Sequence, residues 1–180
     1  MPFFANLLRS IQNHKRAPVS AASGDQQASA NGPRSEGTLQ GIWIKRMHRG
    51  PMDAVDSALL LARRGIEGNA NLGGRRQVTI IEQEVWDDLM QRIGGTLPPA
   101  SRRANLMVQG IRLENSRKHV LCIGPCRIRI FGETKPCKRM DELLPGLRKA
   151  MKEHWAGGAF GEVLEGGSIT VGDSVWWDNR

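Results

Sequence analysis

The sequence predicts a mixed α/β fold that is predominantly β: a closed or strongly bent β-structure carrying peripheral helices. Two observations carry this expectation. Beyond residue 38 the chain breaks into short runs of alternating or β-branched residues, and glycines punctuate those runs. Only a few stretches keep an apolar face at helical spacing.

The elements follow in order. Phe3, Phe4, Leu7, Leu8 and Ile11 recur at helical spacing and predict a short amphipathic helix over residues 3–11. The run from Ala17 to Gly37 is Ala, Ser, Gly, Gln and Pro with almost nothing to bury, the composition of a disordered linker. Residues 1–37 are therefore expected to be an extension and residues 38–180 the folded domain. "TLQGIWIKRM" sets Leu39, Ile42 and Ile44 against Trp43 and Lys45 and predicts a strand. "MDAVDSALLLARRG", rich in Ala and Leu, predicts a helix ending at Gly65. "RQVTII" predicts a strand. "EQEVWDDLMQRI" puts Val85, Trp86, Leu89, Met90 and Ile93 on one helical face and stops at Gly94-Gly95. "ANLMVQG", "HVLCIG" and "CRIRIFG" predict short strands, and residues 138–155 one or two helices split at Pro145-Gly146. The tail "GEVLEGGSITVGDSVWW" predicts two strands about Gly166-Gly167.

Composition narrows the function classes. The chain has 180 residues and is 39% hydrophobic, enough for one domain with a real core. No run reaches the apolar length of a membrane span, and the first residues lack the pattern of a secretory signal. The expectation is a soluble, cytoplasmic protein, with peripheral membrane association through residues 3–11 as the weaker alternative. Three cysteines without a C-x-x-C argue for reduced thiols rather than a disulfide framework. The net charge is +8, of which residues 38–180 hold +6. That balance favours an anionic partner: a small anionic ligand, acidic lipid or nucleic acid. The scarcity of Phe and the absence of Tyr argue against single-strand nucleic-acid binding.

The motif scan excludes more than it finds. There is no G-x-x-x-x-G-K-[ST], no G-x-G-x-x-G after a strand and no H-E-x-x-H. "GGSIT" lacks the last glycine of a hydrolase elbow. His119, Cys122 and Cys126 have zinc-like spacing, but Cys126 shares a strand face with Ile128 and Ile130, and no second Cys/His pair completes four ligands.

Cys137, in "GETKPCKRM", is different. Lys135, Lys138 and Arg139 surround it, and Pro136 halts the preceding strand. Basic neighbours favour the thiolate, the form that attacks, carries sulfur or binds metal. A packing cysteine in a solvated turn is the competing reading. "NLGGRRQ" and "SRRANL" supply two further anion-binding candidates. Arg75, Arg76, Arg102 and Arg103 suit bidentate recognition of phosphate or carboxylate, and Asn105 adds a neutral donor and acceptor. Each Arg-Arg pair taken singly is equally a solvated turn.

In order, "GIEGN", "GGRRQVTII", "RRANLMVQGIRL", "IGPCRIRI", "KPCKRM", "GGAFGEVLEGG" and "ITVGD" resemble the MOSC domain, the module at the C-terminus of molybdenum cofactor sulfurases that also occurs alone in bacteria. The resemblance spans residues 38–180. It implies a β-barrel-like core with peripheral helices and a site around the cysteine of the Pro-Cys pair, here Cys137. It implies a molybdenum pterin cofactor, with Cys137 as molybdenum ligand or as sulfur carrier. Arg76, Arg103 and Asn105 fall at matching motif positions. It also implies a cysteine desulfurase or an electron-donor protein as partner, and one version of it is a molybdenum-dependent reductase of N-hydroxylated compounds. Gly68-Asn69 stands where the family commonly has Gly-Asp, which removes a carboxylate. No pyridoxal-phosphate site is recognisable. A non-catalytic, basic anion- or nucleic-acid-binding module is the rival reading.

Overall fold

The computed structural model describes residues 37–178. The expected amphipathic helix over residues 3–11 and nearly all of the expected linker lie outside the described residues.

The elements are β1 (Gly37–Ile44), β2 (Asp53–Val55), β3 (Ser57–Leu61), β4 (Gly65–Ile66), β5 (Val78–Glu82), α1 (Gln83–Ile93), a 3-10 helix (Pro99–Arg102), β6 (Leu106–Gln109), β7 (Val120–Ile123), β8 (Cys126–Glu133), α2 (Arg139–Leu143), α3 (Leu147–Ala150), β9 (Ala159–Glu165), β10 (Gly167–Thr170) and β11 (Ser174–Asp178). Seven strands run in the order β11-β7-β8-β9-β5-β6-β1, and β11 pairs with β1 to close the barrel. Closure removes the unpaired edges that an open sheet would expose. Strand β2 continues the sheet from β1, and β10, β3 and β4 form a small second sheet. Among the described residues only β5 and β6 pair in parallel, which requires the crossover that α1 and the 3-10 helix provide. The expected β-barrel-like fold is observed.

Alternation fills the barrel. Ile128 and Ile130 of β8, Ile80 of β5, Leu106 of β6 and Leu121 of β7 are fully buried, each contributing about 1.5–3 kcal/mol through burial. In β1 the inward set changes parity, from Leu39 to Ile42 and Ile44. A register shift between Leu39 and Gly41 in the β1–β6 pairing accounts for it: one extra residue turns both sets inward.

Two expectations need correction. The segment 52–65 is not a helix; it forms β2 and β3. Ala58 and Leu60 point inward while Leu59 is exposed, and β3 is bonded between β10 and β4. Ala and Leu favour helix only weakly, and sheet pairing overrides that preference. The tail holds three strands rather than two, because a second turn at Gly172-Asp173 follows the break at Gly166. The Gly172 φ of +99°, a conformation glycine adopts freely, lets its N–H reach the Leu39 carbonyl.

A second, smaller core lies under the helices. Trp86, Leu89 and Met90 of α1 meet Met140, Leu147 and Met151. Trp86 Nε1 donates to the Leu97 carbonyl at 3.1 Å. This packing fixes the chain just past Cys137 against the β5–α1–β6 crossover.

Candidate functional site

Strand directions bring the candidate residues together. Strand β6 begins beside the start of β5, the end of β1 and, through β5, the start of β9 and the end of β8. Five strand termini thus meet at one end of the barrel. They carry Lys45 after β1, Arg76 before β5, Arg102 to Asn105 before β6, Thr134 to Cys137 after β8, and Gly157 before β9.

These residues line one cavity of about 230 Å³, with Met52, Asn69, Thr79, Arg139 and Met140 among its other walls. Five cations line it: Lys45, Arg76, Arg102, Arg103 and Arg139, and no Asp or Glu does. None of the five has an ion pair with an acid among the described residues. Unopposed like charges are costly, and the charged forms show it. Burial pushes the Arg102 pKa down to about 10; Cys137 opposes that shift and Arg76 adds to it. Burial, and then the charge of Arg139, lower the Arg103 pKa, while Cys137 raises it. Burial, and then Arg103, lower the Lys45 pKa. An anion placed among these groups opposes all three shifts by its charge.

Cys137 is exposed, whereas Cys122 and Cys126 are buried. Cys126 Sγ donates to the Gly167 carbonyl at 3.3 Å, and burial, aided by Asp173, pushes its thiol pKa up to about 11. Its inward position on β8 is as expected from the sequence. Pro136 is buried and β8 stops at Glu133, so the Pro-Cys turn leaves the barrel with its thiol at the cavity. Helix α2 starts two residues after Cys137 and is only five residues long, so its dipole adds little to the basic side chains.

The five candidate ligand-binding residues separate into distinct roles. Arg102 is a buried bracket. Its Nε and Nη2 donate to the Gly157 carbonyl at 3.0 and 2.7 Å, and Nη2 also donates to the Thr134 carbonyl at 3.1 Å. It ties the start of β9 to the Pro-Cys turn, and Nη1 makes no protein hydrogen bond among the described residues. Gly157 has to be glycine here, because a Cβ would collide with the Thr134 carbonyl. Asn105 lines the cavity with its amide already engaged. Its Oδ1 accepts from Thr79 N at 3.2 Å and Thr79 Oγ1 at 2.9 Å, and its Nδ2 donates to the Trp43 carbonyl at 3.2 Å. Arg103 is half-buried and left-handed, with φ +63°, held by its N–H to the Ala100 carbonyl at 2.9 Å. Arg76 stacks over Phe160 at 4.9 Å and reaches the cavity. Arg75 does not line it; its guanidinium lies over Phe131, 5.9 Å from the centroid.

Several wall residues were not among the sequence candidates. Lys45 follows β1, and its backbone N–H donates to Asn69 Oδ1 at 3.0 Å. Asn69 is buried, and its Nδ2 donates to the Asn71 carbonyl at 3.2 Å. Asn69, where the resemblance drawn from the sequence implies a carboxylate, is thus a neutral clamp on the cavity wall. Thr134 Oγ1 is buried without a hydrogen-bond partner among the described residues.

Comparison with known proteins now adds to this geometry. The MOSC domain family model matches residues 46–176, well over half of the chain. The chain belongs to the MOSC domain family. No curated protein matches it. Among solved structures, the MOSC chain is similar to the YuaD protein from Bacillus subtilis, with 19% identity, a TM-score of 0.70, and coverage of 81% of this chain and 97% of that one. It is also similar to YiiM from Geobacillus stearothermophilus, with 15% identity, a TM-score of 0.65 and coverage of 80% and 76%. YiiM from Escherichia coli aligns with 16% identity, a TM-score of 0.62 and coverage of 79% and 70%. At these identities the likeness is one of fold. No helix among the described residues is long and apolar enough to cross a membrane.

Proposed function

We propose that this MOSC domain binds a molybdenum pterin cofactor, with Cys137 as the protein's ligand to the metal. The observation that carries the reading is an exposed cysteine at the mouth of a cavity lined by five cations and no acid. The residues fit the group. A thiolate is a soft donor suited to a thiophilic metal. Arg103, Lys45 and Arg76 answer the cofactor's phosphate, and Arg102 offers its remaining Nη1. Arg102 and Asn105 also hold the walls in place. The cofactor would supply redox or sulfur chemistry at the metal; the chain supplies the thiolate, the cationic cradle and a site beside bulk water where a partner can reach. Electron delivery for a reductase of N-hydroxylated compounds would then come from a separate donor protein.

Protein made in cells that assemble the cofactor is expected to retain molybdenum through desalting. Cys137→Ser is expected to lose it. Equal, negligible metal in both proteins overturns this reading.

The exposure of Cys137 supports a second reading, sulfur carriage. The Cys137 thiolate would attack the terminal sulfur of a desulfurase persulfide. The new S–S bond forms on Cys137 and the desulfurase leaves as its thiolate. Incubation with a desulfurase and cysteine should then add the mass of one sulfur to the wild type and none to Cys137→Ser. An unchanged wild-type mass removes this reading.

A further inference from the structure

A second cavity, of about 270 Å³, adjoins the first. Met52, Ala100, Ser101, Arg103, Arg139 and Leu143 line it. Met52, Arg103 and Arg139 also line the cavity that holds Cys137. The border between the two therefore includes three long, rotatable side chains. Such a border can rearrange around a ligand that crosses it.

Each remaining wall has its own character. Leu143 is 39% exposed, although Met140 and Leu147 to either side of it are buried. Its side chain is left to the cavity while its neighbours anchor the helical segment. Ala100 sits inside the 3-10 helix and keeps that wall small and apolar. Arg103 caps the same helix in the left-handed conformation, fixed by its N–H to the Ala100 carbonyl, and lines both cavities. The second cavity thus has an apolar stretch (Met52, Ala100, Leu143) and a cationic rim (Arg103, Arg139) on the side of Cys137. Open on its outer side, this depression of about 270 Å³ leaves room for a ring-sized group.

We infer that this second cavity holds the arm of a reactant delivered to Cys137, and that the reactant is an organic anion with an apolar, ring-sized arm. Its charge lies against Arg139 and its arm against Met52, Ala100 and Leu143. The inference rests on the reading of Cys137 as the working group of the site. It does not require the cofactor to be present.

Cys137 itself reports on the subsite. A haloacetyl reagent forms an S–C bond as iodide leaves, and the thiol proton passes to solvent. Alkylation rates of the full chain are measured with iodoacetamide and with 4-(iodoacetamido)benzoate, each divided by the rate with glutathione to remove intrinsic reactivity. The armed, anionic reagent is expected to show at least a tenfold higher ratio than iodoacetamide. Leu143→Ser, which opens the apolar wall, and Ala100→Leu, which fills the cavity, should each remove most of that advantage. Both should leave the iodoacetamide ratio unchanged. Equal ratios for the two reagents in the wild type overturn the inference, as does an advantage that survives both substitutions. If the advantage holds and molybdenum is not retained, the cofactor reading fails and the subsite stands. If Cys137 resists both reagents, the reading and the inference fall together.

Discussion

Arg102→Lys separates the two roles that a buried arginine at this site can have. If Arg102 serves mainly as a cation for an anionic ligand, lysine keeps the charge and costs the fold little. If it is a bracket, lysine fails. The guanidinium reaches the Gly157 carbonyl with two atoms and the Thr134 carbonyl with one of them. Lysine ends one bond short of Nη2, so its ammonium cannot hold both carbonyls at these distances and one is left unmade. An unmade buried acceptor costs about 1–3 kcal/mol. The more strongly hydrated ammonium is also costlier to bury than a guanidinium. Together these give a loss of about 2–4 kcal/mol, or ~4–16 °C in Tm for a domain of this size. Urea unfolding followed by tryptophan fluorescence measures it. Arg103→Lys is the control: that side chain makes no hydrogen bond among the described residues and is half-buried, so its loss should stay below ~1 kcal/mol. A stability for Arg102→Lys within ~0.5 kcal/mol of wild type refutes the bracket.

Other consequences follow from the same geometry. Asn105→Ala removes the acceptor for Thr79 N and Oγ1 and the donor to the Trp43 carbonyl; a loss of about 2–4 kcal/mol is expected on chemical unfolding, and a loss below ~1 kcal/mol would make Asn105 free to serve a ligand instead. Thr134→Val removes a buried hydroxyl with no partner among the described residues, so stability should stay level or rise by ~1 kcal/mol; a clear fall would reveal a bond to that hydroxyl. Glu82 is buried at the β5–α1 junction, and burial raises its pKa despite the hydrogen bond from Leu113 N at 2.8 Å. The folded state therefore takes up its proton at higher pH than the unfolded chain, and the stability Glu82 contributes when protonated is lost as pH rises through the raised folded value. Glu82→Gln should accordingly gain Tm relative to wild type more at pH 7 than at pH 4, and an equal difference at both pH values contradicts this. With its pKa pushed up to about 11, Cys126 should not react with iodoacetamide at pH 8 in the native protein, while Cys137 should; labelling of Cys126 at a comparable rate would show that β8 opens.

Much of this molecule is legible in its sequence, and the exceptions have identifiable causes. Helix α1 follows from the spacing of Trp86, Leu89 and Met90, which the fold buries as a local stripe. Segment 52–65 misleads because Ala and Leu prefer helix while β10 and β4 supply the pairing that decides the outcome. Those partners lie far away along the chain or form only after the turn at Gly65. The parity change in β1 was visible as Leu39 followed by Ile42 and Ile44, yet only the pairing with β6 shows it to be a bulge. At the site, charge and motif named Cys137, Arg75, Arg76, Arg102, Arg103 and Asn105 as candidates, and all but Arg75 line one cavity. Charge alone does not separate Arg75 from Arg76, whose adjacent side chains diverge at the entry to a strand, whereas the motif match points to Arg76. Lys45 had no motif of its own, and Asn69 and Arg139 stood out only as a departure from a motif and as a basic neighbour of Cys137. They reach the cavity because strand termini from distant parts of the chain meet at one barrel end.

The most direct test of the cysteine-centred cofactor site is X-ray absorption at the molybdenum edge, on protein purified from cells that make the cofactor, with Cys137→Ser alongside. The wild type is expected to show a cysteine sulfur in the metal's first shell. Cys137→Ser is expected to lack the metal or to hold it with one sulfur neighbour fewer. Molybdenum retained in Cys137→Ser with an unchanged sulfur shell would contradict the role assigned to Cys137.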